Sequence, residues 1–165
     1  MHAGDNISLL DIGCYHGELL LKAKDKISRG VGIDPHVKTG NITASIKLIN
    51  GMFPAALESA DKFDCITALA VLEHIPANEQ AVFMKACYDR LNKNGKLIIT
   101  VPDAKVDKIL SVLTWLRLVK GMSLEEHFGF KAATTPALAY ATGFTMLMHE
   151  QFQFGLNNLF VFSKM

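Results

Sequence analysis

Apolar residues fall into short blocks along the chain, and glycine, proline or polar turns separate one block from the next. The first block, Ile7–Ile12, suits a strand and is closed by Gly13. Helical character follows over Gly17–Lys26, where Leu19, Leu20 and Leu21 sit among good helix formers. A second strand is expected at Gly30–Ile33, ending at Asp34-Pro35, because proline has no N–H to continue a ladder. Ile46–Ile49 reads as a third strand behind a loop-like His36–Ser45, and Pro54–Ala60 as a short helix with proline in its first turn. Phe63–Ala70 is apolar on both faces, the pattern of a strand buried at the centre of a sheet. In Ala77–Leu91, residues Val82, Phe83, Ala86, Cys87 and Leu91 recur near helical spacing, and Asn94-Gly95 is the expected stop. Lys96–Val101 is another uniformly apolar strand, ended by Pro102.

Such alternation of strand and helix implies right-handed βαβ crossovers and a mainly parallel sheet covered on both faces, an α/β fold. The last third changes character. A long helix is expected at Ala104–Lys120, then a glycine-containing loop and a short helix near Pro136–Thr142. Two strands, Thr145–Phe154 and Leu159–Lys164, follow, and Gly155-Leu-Asn-Asn between them is a turn-type sequence for a hairpin. No repeat or linker interrupts the 165 residues, so residues 1–165 are read as a single domain.

Composition narrows the class. Half of the residues are hydrophobic, which excludes intrinsic disorder, and a net charge of +1 gives no electrostatic ground for a nucleic-acid partner. The longest apolar stretches, Cys65–Leu72 and Ile109–Val119, fall short of the roughly 20 residues that span a bilayer. The first residues show no basic-then-apolar secretory signal, and Cys14, Cys65 and Cys87 form no Cys-x-x-Cys pair, so a cytoplasmic protein with reduced thiols is expected. His16, His36 and His149 have no metal-ligand spacing, and no metal is expected.

The chemistry begins at Leu10-Asp-Ile-Gly-Cys-Tyr-His-Gly-Glu-Leu19. A strand ending in glycines before a helix leaves backbone N–H groups and a positive helix end facing the crevice where open parallel sheets bind ligands. Asp34, about 20 residues on at the end of the next strand, is placed to accept hydrogen bonds from both ribose hydroxyls of an adenosine. Its plainer reading is a solvated turn residue before proline. Asp11 separates the nucleotides. A carboxylate just before the turn repels a pyrophosphate but suits a ligand carrying an ammonium or sulfonium group, so adenosine joined to a cation is implied.

At these residues the sequence resembles the class I S-adenosylmethionine-dependent methyltransferases, especially their small-molecule branch. The likeness spans Ile7 to Met165 and includes Leu10–Gly17, Gly32–Asp34, Asn50–Phe53, Phe63–His74 and Gly95–Pro102, with the terminal hairpin. The resemblance implies a three-layer Rossmann-like fold with a mainly parallel seven-stranded sheet and an antiparallel C-terminal hairpin, and S-adenosyl-L-methionine as cofactor. It further implies that Asp11, Gly13, Cys14 and Gly17 line the methionine half and that Asp34 holds the ribose with Pro35 beside the adenine. Gly51, Met52 and Phe53 would flank the adenine, and Ala70, Val71 and Leu72 would form the floor near the sulfonium. Two positions depart from the family. Tyr15 stands where the middle glycine is usual, and there a positive φ costs about 1 kcal/mol. Asn50 stands where aspartate is frequent, so a contact to the adenine amino group would be made differently.

Methyl transfer to an oxygen acceptor usually needs a base, and His74 and His127 are the candidates. Each also reads as an ordinary histidine, His74 at the start of a helix and His127 in a surface loop. In Ala104–Lys120, Val106, Ile109, Leu110, Leu113 and Leu116 form a core stripe that Val112, Trp115 and Val119 widen beyond 100°. Burial on two sides is the plainer account of that width; an apolar acceptor pocket or partner surface beside the cofactor is the sharper one. In the second case Lys105, Lys108, Arg117 and Lys120 would meet an anionic or lipid headgroup at a membrane surface. The first strand lies almost at the start of the chain, so a lid would come from Asp103–Thr135 or from the second subunit of a homodimer. The same feature suits a non-catalytic or partner-dependent cofactor-binding subunit. An NAD-dependent reductase is disfavoured by Asp11 and the hairpin.

Overall fold

The computed structural model describes residues 6–103, 106 and 132–165. The helix expected at Ala104–Lys120, apart from Val106, and the candidate base His127 lie outside the described residues. Eight strands make one sheet: β1 (Ile7–Ile12), β2 (Ile27–Asp34), β3 (Gly40–Asn41), β4 (Ile46–Asn50), β5 (Phe63–Leu69), β6 (Leu91–Pro102), β7 (Phe144–Phe152) and β8 (Asn157–Lys164). Their spatial order is β3-β4-β2-β1-β5-β6-β8-β7. The run β4-β2-β1-β5-β6 is parallel, while β3, β8 and β7 are antiparallel to their neighbours. The mainly parallel Rossmann-like sheet with its terminal hairpin is therefore present. The eighth strand is the two-residue edge β3, too short to leave a hydrophobic pattern in the sequence.

The helices are α1 (Glu18–Ala23), α2 (Ala77–Arg90) and α3 (Thr135–Thr142), with 3-10 turns at Leu72–His74 and Ala132–Thr134. Alternation along each strand sends side chains to two cores. On one face Leu10, Ile12, Val31, Ile33, Ile66 and Ala68 join Phe83, Met84 and Cys87 of α2, with Phe144, Phe160 and Phe162 from the hairpin. On the other, Leu9, Ile46, Leu48 and Cys65 meet Leu20 of α1 and Cys14. Asp64 ties the amino ends of three strands together: Ser8 donates to it through N–H and Oγ at 2.9 and 2.7 Å, and Asn92 Nδ2 at 2.7 Å. Those donors hold its carboxyl below the usual range.

Several expected boundaries move. Pro54–Ala60 is not a helix but a series of turns, with Ala56 N–H on Met52 O at 3.0 Å and Leu57 N–H on Pro54 O at 3.1 Å. So short a segment does not offset the cost of fixing its first turn. Helix α1 is shorter than Gly17–Lys26, and β2 starts three residues before Gly30. Helix α2 ends at Arg90, well before Asn94-Gly95, because Leu91 turns to extended backbone and buries its side chain. Lys164 Nζ then donates to the freed carbonyls of Tyr88 and Leu91, both at 2.8 Å. The buried stripe of α2 is Gln80, Phe83, Met84 and Cys87, whereas Val82 is exposed. The hairpin turns two residues earlier than Gly155-Leu-Asn-Asn, with Gln153, Phe154 and Gly155 all at positive φ, and Asn157 and Asn158 belong to β8.

Candidate functional site

The carboxyl ends of β1, β2, β4 and β5 lie side by side, so the loops that follow them share one edge of the sheet. Asp11 and Thr67 are register partners on β1 and β5, on the face opposite Ile12 and Ala68. Thr67 Oγ1 donates to Asp11 Oδ1 at 2.7 Å, and Asp11 is only 4% exposed. Burial pushes its carboxyl up to about 6, the Thr67 hydroxyl pulls the other way, and the neighbouring charge of Asp34 adds to the rise. A carboxylate so placed is one a cation would stabilise.

Past β1 the chain turns through Gly13, at φ 73°, whose N–H donates to Ile33 O at 2.9 Å. A Cβ at Gly13 would stand 2.7 Å from Val71 Cγ2, so the loop after β1 and the loop after β5 touch through a position that only glycine fills. Gly32 serves a second close approach. A Cβ there would stand 2.6 Å from Cys14 Sγ and 2.7 Å from Leu48 Cδ2, so the bare strand lets the loop settle onto β2. Cys14 is consequently buried, its thiol pushed up to about 12 by burial and then by Asp11 and Asp34, and it faces the sheet rather than the crevice.

Asp34 terminates β2 and is nearly buried. Tyr15 N–H donates to its Oδ2 at 3.0 Å and His36 N–H to its Oδ1 at 2.8 Å. The carboxylate is thus fixed in orientation by two backbone donors, and each oxygen keeps a lone pair for a further donor. Asp34 is therefore not a freely solvated turn residue. Tyr15 has a φ of 46°, so the residue in the expected glycine place does take the left-handed conformation.

Asn50 explains its departure from the family pattern. Its Nδ2 donates to the carbonyls of Pro35 and Val37, both at 2.8 Å, and its N–H to Thr39 Oγ1 at 2.9 Å. The amide staples the turn that follows Asp34, which a carboxylate could not do. Gly51 N–H reaches Asp34 O at 3.3 Å, Met52 is exposed, and Phe53 packs edge-on to Phe83 at 5.5 Å. Pro35 is exposed beside them.

After β5 the exposed Ala70, at φ 55°, donates its N–H to Thr100 O and Oγ1, both at 3.1 Å. Val71 is half-buried against Gly13, and Leu72 is fully buried in the core, so any contact it makes at the crevice is through backbone. His74 closes the 3-10 turn with an exposed side chain. Thus Gly13, Tyr15, Gly17, Pro35, Gly51–Phe53 and Ala70–His74 lie in the segments that follow the strands at one end of the sheet, beside Asp11 and Asp34 at the carboxyl ends of β1 and β2. Two contributors were missed from sequence, Thr67 and Thr100, although each is a polar residue with apolar neighbours on both sides near the carboxyl end of a central strand. Helix α1 has only six residues, and the N–H groups of Gly13, Cys14, Tyr15 and Gly17, expected to face the crevice free, are taken by Ile33 O, Asp34 Oδ2 and Cys14 O, so the two acids rather than a helix dipole or open amides define the site.

A family model described as a methyltransferase domain matches residues 2–148. No curated protein matches the chain in sequence. Among solved structures, the chain is similar to an S-adenosylmethionine-dependent methyltransferase from Mesorhizobium loti, with TM-score 0.76, 16% identity, and coverage of 99% of this chain and 94% of that one. It is similar to the 1,6-didemethyltoxoflavin-N1-methyltransferase of Burkholderia thailandensis, solved with bound 1,6-didemethyltoxoflavin and S-adenosylhomocysteine (TM-score 0.74, 15% identity, coverage 99% and 73%). Magnesium protoporphyrin IX methyltransferase from Synechocystis, with bound S-adenosylhomocysteine, gives TM-score 0.72 at 16% identity and coverage of 99% and 76%. At such identities the likeness is one of fold.

Proposed function

The chain belongs to the methyltransferase-domain family whose model matches residues 2–148, and from that premise we propose that it transfers a methyl group from S-adenosylmethionine to a small-molecule acceptor. The observation that carries this reading is the pair of nearly buried acids, Asp11 and Asp34, set on adjacent strands beneath a left-handed loop. The residues fit such a cofactor. Asp34, oriented by Tyr15 and His36, would accept the ribose hydroxyls, and Asp11 would take the ammonium of the methionine end, where a pyrophosphate would be repelled. Gly13, Cys14 and Gly17 would contribute backbone, Pro35, Gly51, Met52 and Phe53 would flank the adenine, and Ala70, Val71 and Leu72 would line the floor. When bound, S-adenosylmethionine supplies an electrophilic methyl group on a sulfonium.

The chain's own part is to hold the reactants in line and keep water out, and good orientation is worth roughly 7–11 kcal/mol. For an oxygen acceptor His74, exposed at the end of the 3-10 turn after β5, would take the proton. His127 is the second candidate base. Among the described residues no helix is long and apolar enough to cross a membrane; a lipid-linked acceptor would call on Ala104–Lys120, which apart from Val106 lie outside the described residues, and a homodimer would supply a lid from its second subunit. Calorimetry with S-adenosylhomocysteine against NAD tests the cofactor: binding of NAD alone would refute the reading. Incubating the protein and a cell extract with methyl-labelled S-adenosylmethionine then tests catalysis, and binding without any labelled product would favour a non-catalytic subunit.

A further inference from the structure

The loop between β1 and α1 takes left-handed backbone at every second residue, with φ 73° at Gly13, 46° at Tyr15 and 77° at Gly17. Glycine enters that region freely. Tyrosine does not, because its Cβ crowds the following carbonyl oxygen. Packing offsets little of that penalty here: Tyr15 is 61% exposed, and its one ring neighbour among the described residues is His16, with centroids 3.9 Å apart and planes inclined by 49°. A strained residue with its ring in water gains nothing for the fold, and strain of this kind collects where it serves a bound molecule. The backbone position of Tyr15 says which part of the molecule. Tyr15 N–H is hydrogen-bonded to Asp34 Oδ2 at 3.0 Å, so its Cα is anchored beside the carboxylate assigned to the ribose.

We propose that Tyr15, backed by His16, is a binding residue whose ring closes over the sugar of the bound adenosine moiety. This rests on reading the crevice as a nucleoside site. The flat face of the phenol covers the C–H face of the ribose, while Asp34 holds its hydroxyls from the other side. The group so recognised is the ribose of an adenosine, whatever is attached at its 5′ carbon.

The test uses Tyr15→Gly, Tyr15→Asn and Tyr15→Phe in the full chain. Asparagine tolerates left-handed backbone without the chain entropy of glycine. Binding of S-adenosylhomocysteine and of 5′-methylthioadenosine, which lacks the amino-acid end, is measured by calorimetry, and melting is followed without ligand. The Gly and Asn variants should melt at or above the wild-type temperature, by up to about 3 °C. They should bind both ligands roughly 5–15-fold more weakly, the effect of uncovering about 50 Å² of apolar surface. Tyr15→Phe should bind both as the wild type does. Unchanged binding by the Gly and Asn variants would overturn the proposal. So would a loss confined to S-adenosylhomocysteine, a loss in the Phe variant as large as in Gly, or lower melting in both Gly and Asn. Failure of the wild-type protein to bind S-adenosylhomocysteine would instead refute the nucleoside site itself.

Discussion

Replacing Asp11 by asparagine should stabilise the ligand-free protein at neutral pH. Burial raises the Asp11 carboxyl from its ordinary 3.8 to about 6, and Asp34 adds to the rise. A carboxyl whose folded value lies above its unfolded one stabilises the protein while protonated. That contribution is complete below about 3.8 and is lost as the pH rises through about 6. At about 1.4 kcal/mol for each tenfold change in proton affinity, ionised Asp11 costs the fold about 3 kcal/mol at pH 7.5. Asparagine keeps an oxygen for the Thr67 hydroxyl and carries no charge, so Asp11→Asn should gain most of that amount, about 6–12 °C in melting temperature. Urea denaturation of both proteins between pH 4 and 8 reads the difference directly. It should be small at pH 4, grow up to about pH 6 and level off above it. A difference that does not change with pH, or a wild type more stable than the variant at pH 7.5, would refute the reasoning. The binding counterpart has the opposite sign: S-adenosylhomocysteine should bind the wild type more tightly as the pH rises through about 6, and Asp11→Asn should abolish that dependence.

The other predictions concern the loops around Asp11. Asp34→Ala should weaken S-adenosylhomocysteine binding by about 2–4 kcal/mol in calorimetry, since it removes paired hydrogen bonds to a charge and frees the N–H groups of Tyr15 and His36. Gly13→Ala should destabilise the protein by about 1–3 kcal/mol in urea titration, because its methyl would sit 2.7 Å from Val71 Cγ2 at a φ of 73°. Asn50→Asp should lower stability by roughly 1–3 kcal/mol by leaving the Pro35 and Val37 carbonyls without their donor, and it should not tighten cofactor binding, despite matching the more frequent family residue.

Local pattern carried the fold a long way. Alternation of apolar strands with helical segments implies a parallel sheet, and Asp11, Gly13, Gly17 and Asp34 mark its loop edge. The misplaced boundaries share a cause, since each depends on a partner distant in sequence. Helix α2 ends at Arg90 because Leu91 finds the core and Lys164, 73 residues away, caps it. Pro54–Ala60 carried helix-start chemistry yet had too few residues to nucleate one. Thr67 and Thr100 carry no signal of their own in the sequence, because their partners, Asp11 Oδ1 and the Ala70 N–H, reach them only across neighbouring strands.

What the amino-acid order determined by itself was everything local: strand periodicity, the glycines that turn the chain, and the spacing of the two acids. Only the folded chain decided their chemistry. Asp11 becomes reluctant to ionise because the sheet removes its water and sets Asp34 beside it, and Asp34 becomes rigid because the N–H of a strained tyrosine comes to rest on it. Desolvation and proximity are properties of three dimensions, so no spacing in the sequence expresses them.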